Sequence, residues 1–336
     1  MKNIAVYLRS QPRYGDQVVS YPTLLQLKTW WPEARLRVIS KFDVGGYYTN
    51  LPWVDEFIQV QSFFDYVKAQ PRLDCVSVNL HHSSERYGLV SMLRLPKMRL
   101  GFKNARLTDF IWTHSHRKTI EEYIGQANLN ILSQVVHVDK HAVTRQCFET
   151  IAAQAQDHIQ PADIVFIPGG GSGDFKRWSW RHYVRLSNML KQRLGDSVTF
   201  TFVLGPSEQL ELQNLSALKR RDFRLEYGRT TPELAQLMLG ARLVVANDCG
   251  PSHIAQGLCV PYVGVFNEPN PEWFWARPYT RDVVPLDRSA GINSIEPERA
   301  FQACLEVLAY GAPTLEVMVR PSPGSLRAWT LAPSGA

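Results

Sequence analysis

Short runs of β-forming residues alternate with longer amphipathic runs along this chain, and the alternation starts twice. In the first half, NIAVYLR, RLRVISK, VDEFIQV, LDCVSVNL and MRLGF read as strands, with QVVSYPTLLQLKTWWP and SERYGLVSMLRL as helices. In the second half, the strands DIVFIPGGG, SVTFTFVLG, FRLEYG, RLVVAND and PYVGVF are separated by helical stretches such as SWRHYVRLSNMLKQRL and TPELAQLMLGA. Strands linked through helices form parallel sheets, because a parallel neighbour needs a crossover connection. Ser179 and Thr231 stand where helix N-caps are expected. The pattern is α/β, two doubly wound units in tandem, and it lacks the eight even repeats of a barrel.

Between the two runs, RKTIEEYIGQANLNIL and AVTRQCFETIAAQAQDHI look helical, and HIQPAD is the expected linker. This sets a first domain at 1–155, a second at 160–312 and a tail at 313–336 that either packs back or is partly disordered. A chain of 336 residues is long enough for two cores. Its 45% hydrophobic and 20% charged residues fit a globular protein without a membrane span. The apolar start is too short for a signal peptide, so a cytoplasmic location is expected. Five scattered cysteines with no CxxC pair argue for buried apolar residues rather than disulfides or structural zinc. The net charge of +6 lies wholly in residues 1–150, with 19 Lys and Arg against 13 Asp and Glu; residues 151–336 hold 18 of each. The first half therefore suits an anionic partner (nucleic acid, a phosphorylated glycan or an acidic membrane surface) or carries an ordinary solvated basic face.

In open parallel sheets, ligands bind outside the carboxyl ends of the strands. Four strand ends here carry residues suited to chemistry. Asp16, after the first strand, reads either as a helix N-cap or as a carboxylate facing a cleft, able to act as a base. In IPGGGSGDFKRW, the backbone of Gly170, Gly171, Ser172 and Gly173 can approach a phosphate, and Lys176 adds a positive charge. The loop is not a Walker A sequence, and the first turn, RSQPRYGD, lacks GxGxxG, so a dinucleotide dehydrogenase is not supported. Glu208, in VLGPSEQ, reads as a ribose ligand or as a first-turn acid. In ANDCGPSHIAQG, Cys249 invites a reading as a nucleophile beside His253, but nothing else resembles a cysteine hydrolase. One Cys and one His are too few for a metal, and no metal is expected. A helix start at Gly250, Pro251, Ser252 and His253, next to Asp248, suits a diphosphate.

Three segments together resemble glycosyltransferase family 9, the lipopolysaccharide heptosyltransferases. They are GDQVVSYPTLLQLKTWWPEARL, IPGGGSGDFKRWS and DCGPSHIAQGLCVPYVGVF, in family order and spanning most of residues 1–280. The resemblance implies a GT-B fold, two Rossmann-like domains facing across a cleft. It implies a nucleotide-diphospho-sugar donor on the second domain, most simply ADP-heptose, and an anionic glycolipid acceptor on the first. The charge distribution agrees with that acceptor and with peripheral contact at a membrane surface; nucleic acid is not implied. By resemblance Asp16 is the catalytic base of an inverting transfer. Lys176 contacts phosphate, Glu208 binds ribose, and Asp248 to His253 cradle the diphosphate, with no cofactor. Cys249 replaces the family's Ser or Thr, Ser179 its Pro, and NEPNPEWFWARP its G-P-T segment. A GT-B sugar-nucleotide epimerase, a non-catalytic nucleotide-sugar-binding protein, and a transferase acting on a protein or capsule glycan remain open.

Overall fold

The computed structural model describes residues 1–311, apart from 9–10, 82–85, 105–106, 108, 157–158, 161 and 172. Ser172 and the tail at 313–336 lie outside the described residues, as does part of the linker HIQPAD.

The chain begins β1 (Asn3–Tyr7), α1 (Tyr14–Val18), α2 (Tyr21–Trp30), β2 (Arg35–Ser40), β3 (Glu56–Gln59), α3 (Phe63–Ala69) and β4 (Cys75–Asn79). It continues through α4 (Arg86–Arg94), β5 (Met98–Phe102) and β6 (His114–His116) to α5 (Ile124–Ser133) and α6 (Lys140–Ala152). The second half runs β7 (Ile164–Ile167), α7 (Trp180–Leu194), β8 (Phe200–Leu204), α8 (Gln209–Ala217), β9 (Phe223–Tyr227) and α9 (Thr231–Met238). It ends β10 (Leu243–Asn247), α10 (Ser252–Gly257), β11 (Tyr262–Val265), β12 (Thr280–Val283) and α11 (Pro297–Tyr310).

Two parallel six-stranded sheets result, ordered β3-β2-β1-β4-β5-β6 and β12-β11-β10-β7-β8-β9. In each, the chain builds outward and then returns to lay a strand beside the first, so the order reverses between β1 and β4 and between β7 and β10. Ligands in doubly wound sheets sit outside the carboxyl ends at this reversal. Central strands such as β1, β4 and β10 are buried almost throughout, as strands covered on both faces must be, and in β4 even the polar Ser77 and Asn79 are enclosed.

Helix α6 packs on α2 of the first unit and on α9 and α10 of the second. Leu24 and Leu27, Phe148 and Ile151, Leu237 and Met238, and Ile254 belong to one buried apolar cluster across this seam. The two sheets are thereby held by continuous packing through the helices that join them. All five cysteines are free and buried, as their spacing suggested.

Several local expectations change. The helix read across 17–32 is two helices, with Ser20 between them donating its hydroxyl to the Gln17 carbonyl. Pro22 lies in the first turn of α2, where a missing N–H costs nothing. Because α1 starts at Tyr14, its N-cap is Arg13, and Asp16 falls inside the first turn rather than capping it. Thr230, not Thr231, caps α9, in a reciprocal box with Glu233. Ser179 does cap α7, accepting from the Arg181 N–H. Strands β6 and β12 are short and read HSH and TRDV, so neither carries a β-forming run.

Where α10 crosses α6, a Cβ on Gly257 would lie 2.2 Å from Phe148 Cε2 and 3.1 Å from Thr144 Cγ2. Gly257→Ala should therefore overpack the seam and destabilise by about 1–3 kcal/mol. A urea midpoint equal to that of the parent protein would contradict this packing.

Candidate active site at the facing sheet reversals

The turn after β1 and the turn after β10 meet. A Cβ on Gly15 would lie 3.3 Å from Gly250 Cα and 3.3 Å from His253 Cδ2. A Cβ on Gly250 would lie 2.4 Å from Tyr14 Cδ1 and 3.0 Å from Gly15 N. Both positions are glycine because backbone approaches backbone. Asp16 follows Gly15 directly; it is half-buried, and its Oδ1 is shielded from solvent. The contact is tied from the side, because Tyr14 and Thr231 share a hydroxyl hydrogen bond of 2.6 Å between α1 and α9. Released from capping, Thr231 serves the interface between the two halves.

Lys176 Nζ is paired with Asp248 Oδ2, and Asn270 Nδ2 donates to the same oxygen at 3.4 Å. Asp248 is only 9% exposed, and a carboxylate so far from water needs such partners. Two residues read separately from the sequence thus form one unit. The Ser252 hydroxyl donates to the Cys249 carbonyl at 2.7 Å. The N–H groups of Ser252 and His253 donate within the turn, to the Cys249 and Gly250 carbonyls. Pro251 sets that geometry, holding helical dihedrals at the N-cap of α10. Lys176 is therefore the clearest positive group here. Burial pushes the Cys249 thiol up to about 12, which removes it as a nucleophile near neutral pH.

His253 is fully enclosed. Its Nδ1 lies 3.1 Å from Tyr123 Oη and 3.3 Å from Gln256 Nε2. Burial lowers its pKa to about 4, so the ring is neutral at pH 7. Gln256 also accepts from the Trp275 N–H at 2.6 Å and donates to the Trp273 carbonyl at 3.2 Å. These bonds fasten the 267–278 segment to α10, and Trp275 stacks on Tyr123 with ring centres 5.4 Å apart.

In the loop after β7, a Cβ on Gly170 would meet Arg177 Cγ at 2.8 Å, and Gly173 has φ +130, which favours glycine. Gly171 faces open space. Glu208 is buried beneath Gly169, accepting from the Gly205 N–H at 2.8 Å and the Ser207 hydroxyl at 2.6 Å, with Arg177 Nη2 at 3.2 Å. Both of its oxygens are engaged. Asn247 clamps the reversal itself, donating to the Pro168 carbonyl at 2.7 Å and accepting from the Tyr183 hydroxyl at 2.8 Å.

The Gly15–Gly250 contact and the Lys176–Asp248 pair thus put Asp16, Lys176 and the 248–253 turn at the carboxyl ends of the two sheets, where doubly wound folds have their ligand crevice, and Glu208 lies beneath the glycine loop at Gly169. Sequence reasoning missed Tyr14, Tyr123, Asn247, Gln256 and Asn270, and read Thr231 as a cap. Among the described residues, no three His, Cys, Asp or Glu side chains are grouped to hold a metal. A cavity of about 660 Å³ opens at the amino ends of β10 and β11, lined by Arg145, Arg242 and Leu308. It lies at the opposite end of the sheet from the crevice.

The model of glycosyltransferase family 9 (heptosyltransferase) matches residues 89–300, well over half of the chain. The chain belongs to glycosyltransferase family 9. This family 9 protein is accordingly a glycosyltransferase, and its two sheets form the GT-B fold. Its structure is similar to that of E. coli heptosyltransferase WaaC with ADP, with a TM-score of 0.67 and 15% identity over 91% of this chain and 99% of that one. It is also similar to E. coli ADP-heptose lps heptosyltransferase II, at 0.59 and 16% over 92% and 99% of the two chains. UDP-GlcNAc 2-epimerase from Methanocaldococcus jannaschii is similar at 0.53 and 13%, over 93% and 100%. At these identities the structural likenesses show the fold alone. No curated protein sequence matches the chain.

The neutral state of His253 has a consequence for stability in this family 9 enzyme. From about 6.5 down to about 4, the unfolded chain takes up a proton that the folded ring refuses. Stability conferred at neutral pH is lost as pH falls through that window, at up to about 1.4 kcal/mol per pH unit. The stability gap between the parent and His253→Gln should shrink accordingly on acidification. A gap independent of pH, measured by urea unfolding, would contradict the assignment.

Proposed function

We propose that this family 9 glycosyltransferase moves a heptosyl unit from ADP-heptose to a hydroxyl of an anionic glycan acceptor, with inversion at the anomeric carbon. The observation that carries the reading is the Gly15–Gly250 contact, which sets Asp16 beside the turn next to the Lys176–Asp248 pair. A base from one half and a cation from the other then border the same crevice. The match to the family and the ADP held by the similar WaaC support the donor class. The positive surplus confined to residues 1–150 supports an anionic acceptor on that half, such as lipopolysaccharide inner core. A nucleotide-sugar donor also fits a cytoplasmic reaction.

In this mechanism Asp16 takes the proton of the acceptor hydroxyl. The acceptor oxygen forms a bond to the anomeric carbon on the face opposite the diphosphate. The carbon–oxygen bond to the diphosphate breaks, and the nucleoside diphosphate leaves with the electron pair. Lys176, released from Asp248, meets the growing negative charge, and the glycines at 170, 171 and 173 allow backbone to come close. Glu208 stands as the ribose partner, already held in place by Arg177 and the Gly205 N–H.

Asp16→Ala should lower turnover by roughly 10² or more, with ADP affinity nearly unchanged, since general-base catalysis contributes on that order. Unaltered turnover would remove Asp16 from the role. In a thermal-shift panel of nucleoside diphosphates, ADP should raise the melting temperature selectively, and Lys176→Ala should abolish most of that shift. A preference for UDP or GDP would overturn the ADP-heptose donor. The likeness to a 2-epimerase keeps a second reading in view, and consumption of nucleotide sugar to an isomer with no acceptor present would favour it.

A further inference from the structure

We propose that the outer face of α3 and α4 docks on the surface of an anionic lipid bilayer. Helix α4 turns Tyr87, Val90 and Ser91 into the first unit. Its other face should then be polar, as on an ordinary surface helix. Instead it presents Leu89, Met92 and Leu93, and Leu93 is 56% exposed. Leu95 follows at 60%. Helix α3 packs beside α4 and opens with Phe63 and Phe64, whose rings lie 6.2 Å apart. Phe64 is 74% exposed. The turn at Asp109–Ile111 also packs on α4 and carries Phe110, 77% exposed. Three neighbouring pieces of chain thus point large apolar side chains outward together, and clustered exposure of this kind marks an interaction surface.

Charge decides the partner. Residues 61–110 hold eight Lys and Arg against four Asp and Glu, a surplus of four within a chain whose total is +6. Lys68 and Arg72 are exposed at the end of α3, and Lys97 and Lys103 beyond α4. Apolar anchors ringed by cations match the headgroup boundary of an anionic bilayer, where the rings and leucines enter and the cations meet phosphates. A second copy of the chain would bring the same positive charge against itself. No helix among the described residues is long and apolar enough to cross a membrane, so the contact is interfacial.

The test is co-sedimentation of the intact protein with vesicles of phosphatidylglycerol and phosphatidylcholine, against phosphatidylcholine alone. The parent protein should sediment with the anionic vesicles only, and less so in high salt. The triple variant Phe64→Ser, Leu93→Ser, Phe110→Ser should lose about tenfold in binding, since the apolar anchors supply part of the affinity. These residues are exposed, so its melting temperature should stay near that of the parent. Lys68→Glu with Arg72→Glu leaves the apolar face intact and should weaken binding most at low salt. Failure of the parent to bind anionic vesicles, or undiminished binding by the triple variant, would overturn the proposal. So would a concentration-dependent dimer abolished by the triple variant, which would assign the face to a second copy. Donor and acceptor are absent from the assay, so its outcome is independent of the transfer reading.

Discussion

Gly15 rests against Gly250, and neither position can carry a side chain without pushing the other away. This one approach brings the turn after the first strand of one sheet onto the turn that enters the last reversal of the other. It depends on packing well away from the crevice. Helix α6 lies on α2 and on α9 and α10 at once, and the apolar seam it fills fixes how far apart the sheets stand. The Tyr14–Thr231 hydroxyl pair and the Tyr123–His253 contact then set the rotation of the two turns. Asp16, one residue beyond Gly15, inherits its position from all of these.

The electrostatics of the crevice follow from burial. Asp248 is a nearly buried carboxylate in a place assigned to an anionic ligand, and only its pairing with Lys176 makes that arrangement workable. His253 adds no positive charge, because its enclosure by Tyr123, Gln256 and Trp273 holds the ring neutral. The N–H groups of Ser252 and His253 are spent inside their own turn. In the proposed mechanism Lys176 is the charge that changes partners, exchanging a carboxylate of the protein for a phosphate of the donor. The exchange keeps the lysine paired in both states but takes the cation away from Asp248, whose carboxylate then keeps the Asn270 amide.

The sheets, their parallel sense and the loops at their reversals were legible because hydrophobic runs and glycines are local signals. The same holds for Lys176 and Asp16, which stand out as charged residues at strand ends. What was not legible was partnership. Nothing near position 14 announces that Tyr14 meets Thr231, 217 residues away. Thr231 looked like a cap because it precedes Pro232, yet Thr230 with Glu233 makes the better box, which frees Thr231 for the interface. Asp16 looked like a cap before a helix read from Gln17, but the helix begins three residues earlier, at Tyr14. Gln256 and Asn247 are uncharged and sit in apolar stretches, so their roles in fastening the Trp275 segment and clamping the reversal appear only in three dimensions. Cys249 drew attention by its chemistry, but burial makes it a small residue in a tight turn.

The central claim is that Lys176, the glycine loop and the 248–253 turn form one diphosphate site beside Asp16. A crystal structure of the protein with ADP tests it most directly. The diphosphate should lie between the glycine loop and the Gly250 turn, with Lys176 Nζ moved from Asp248 onto a phosphate oxygen and Asp16 facing the β-phosphate side. ADP bound elsewhere, or bound with Lys176 still on Asp248 and no contact to phosphate, would contradict it.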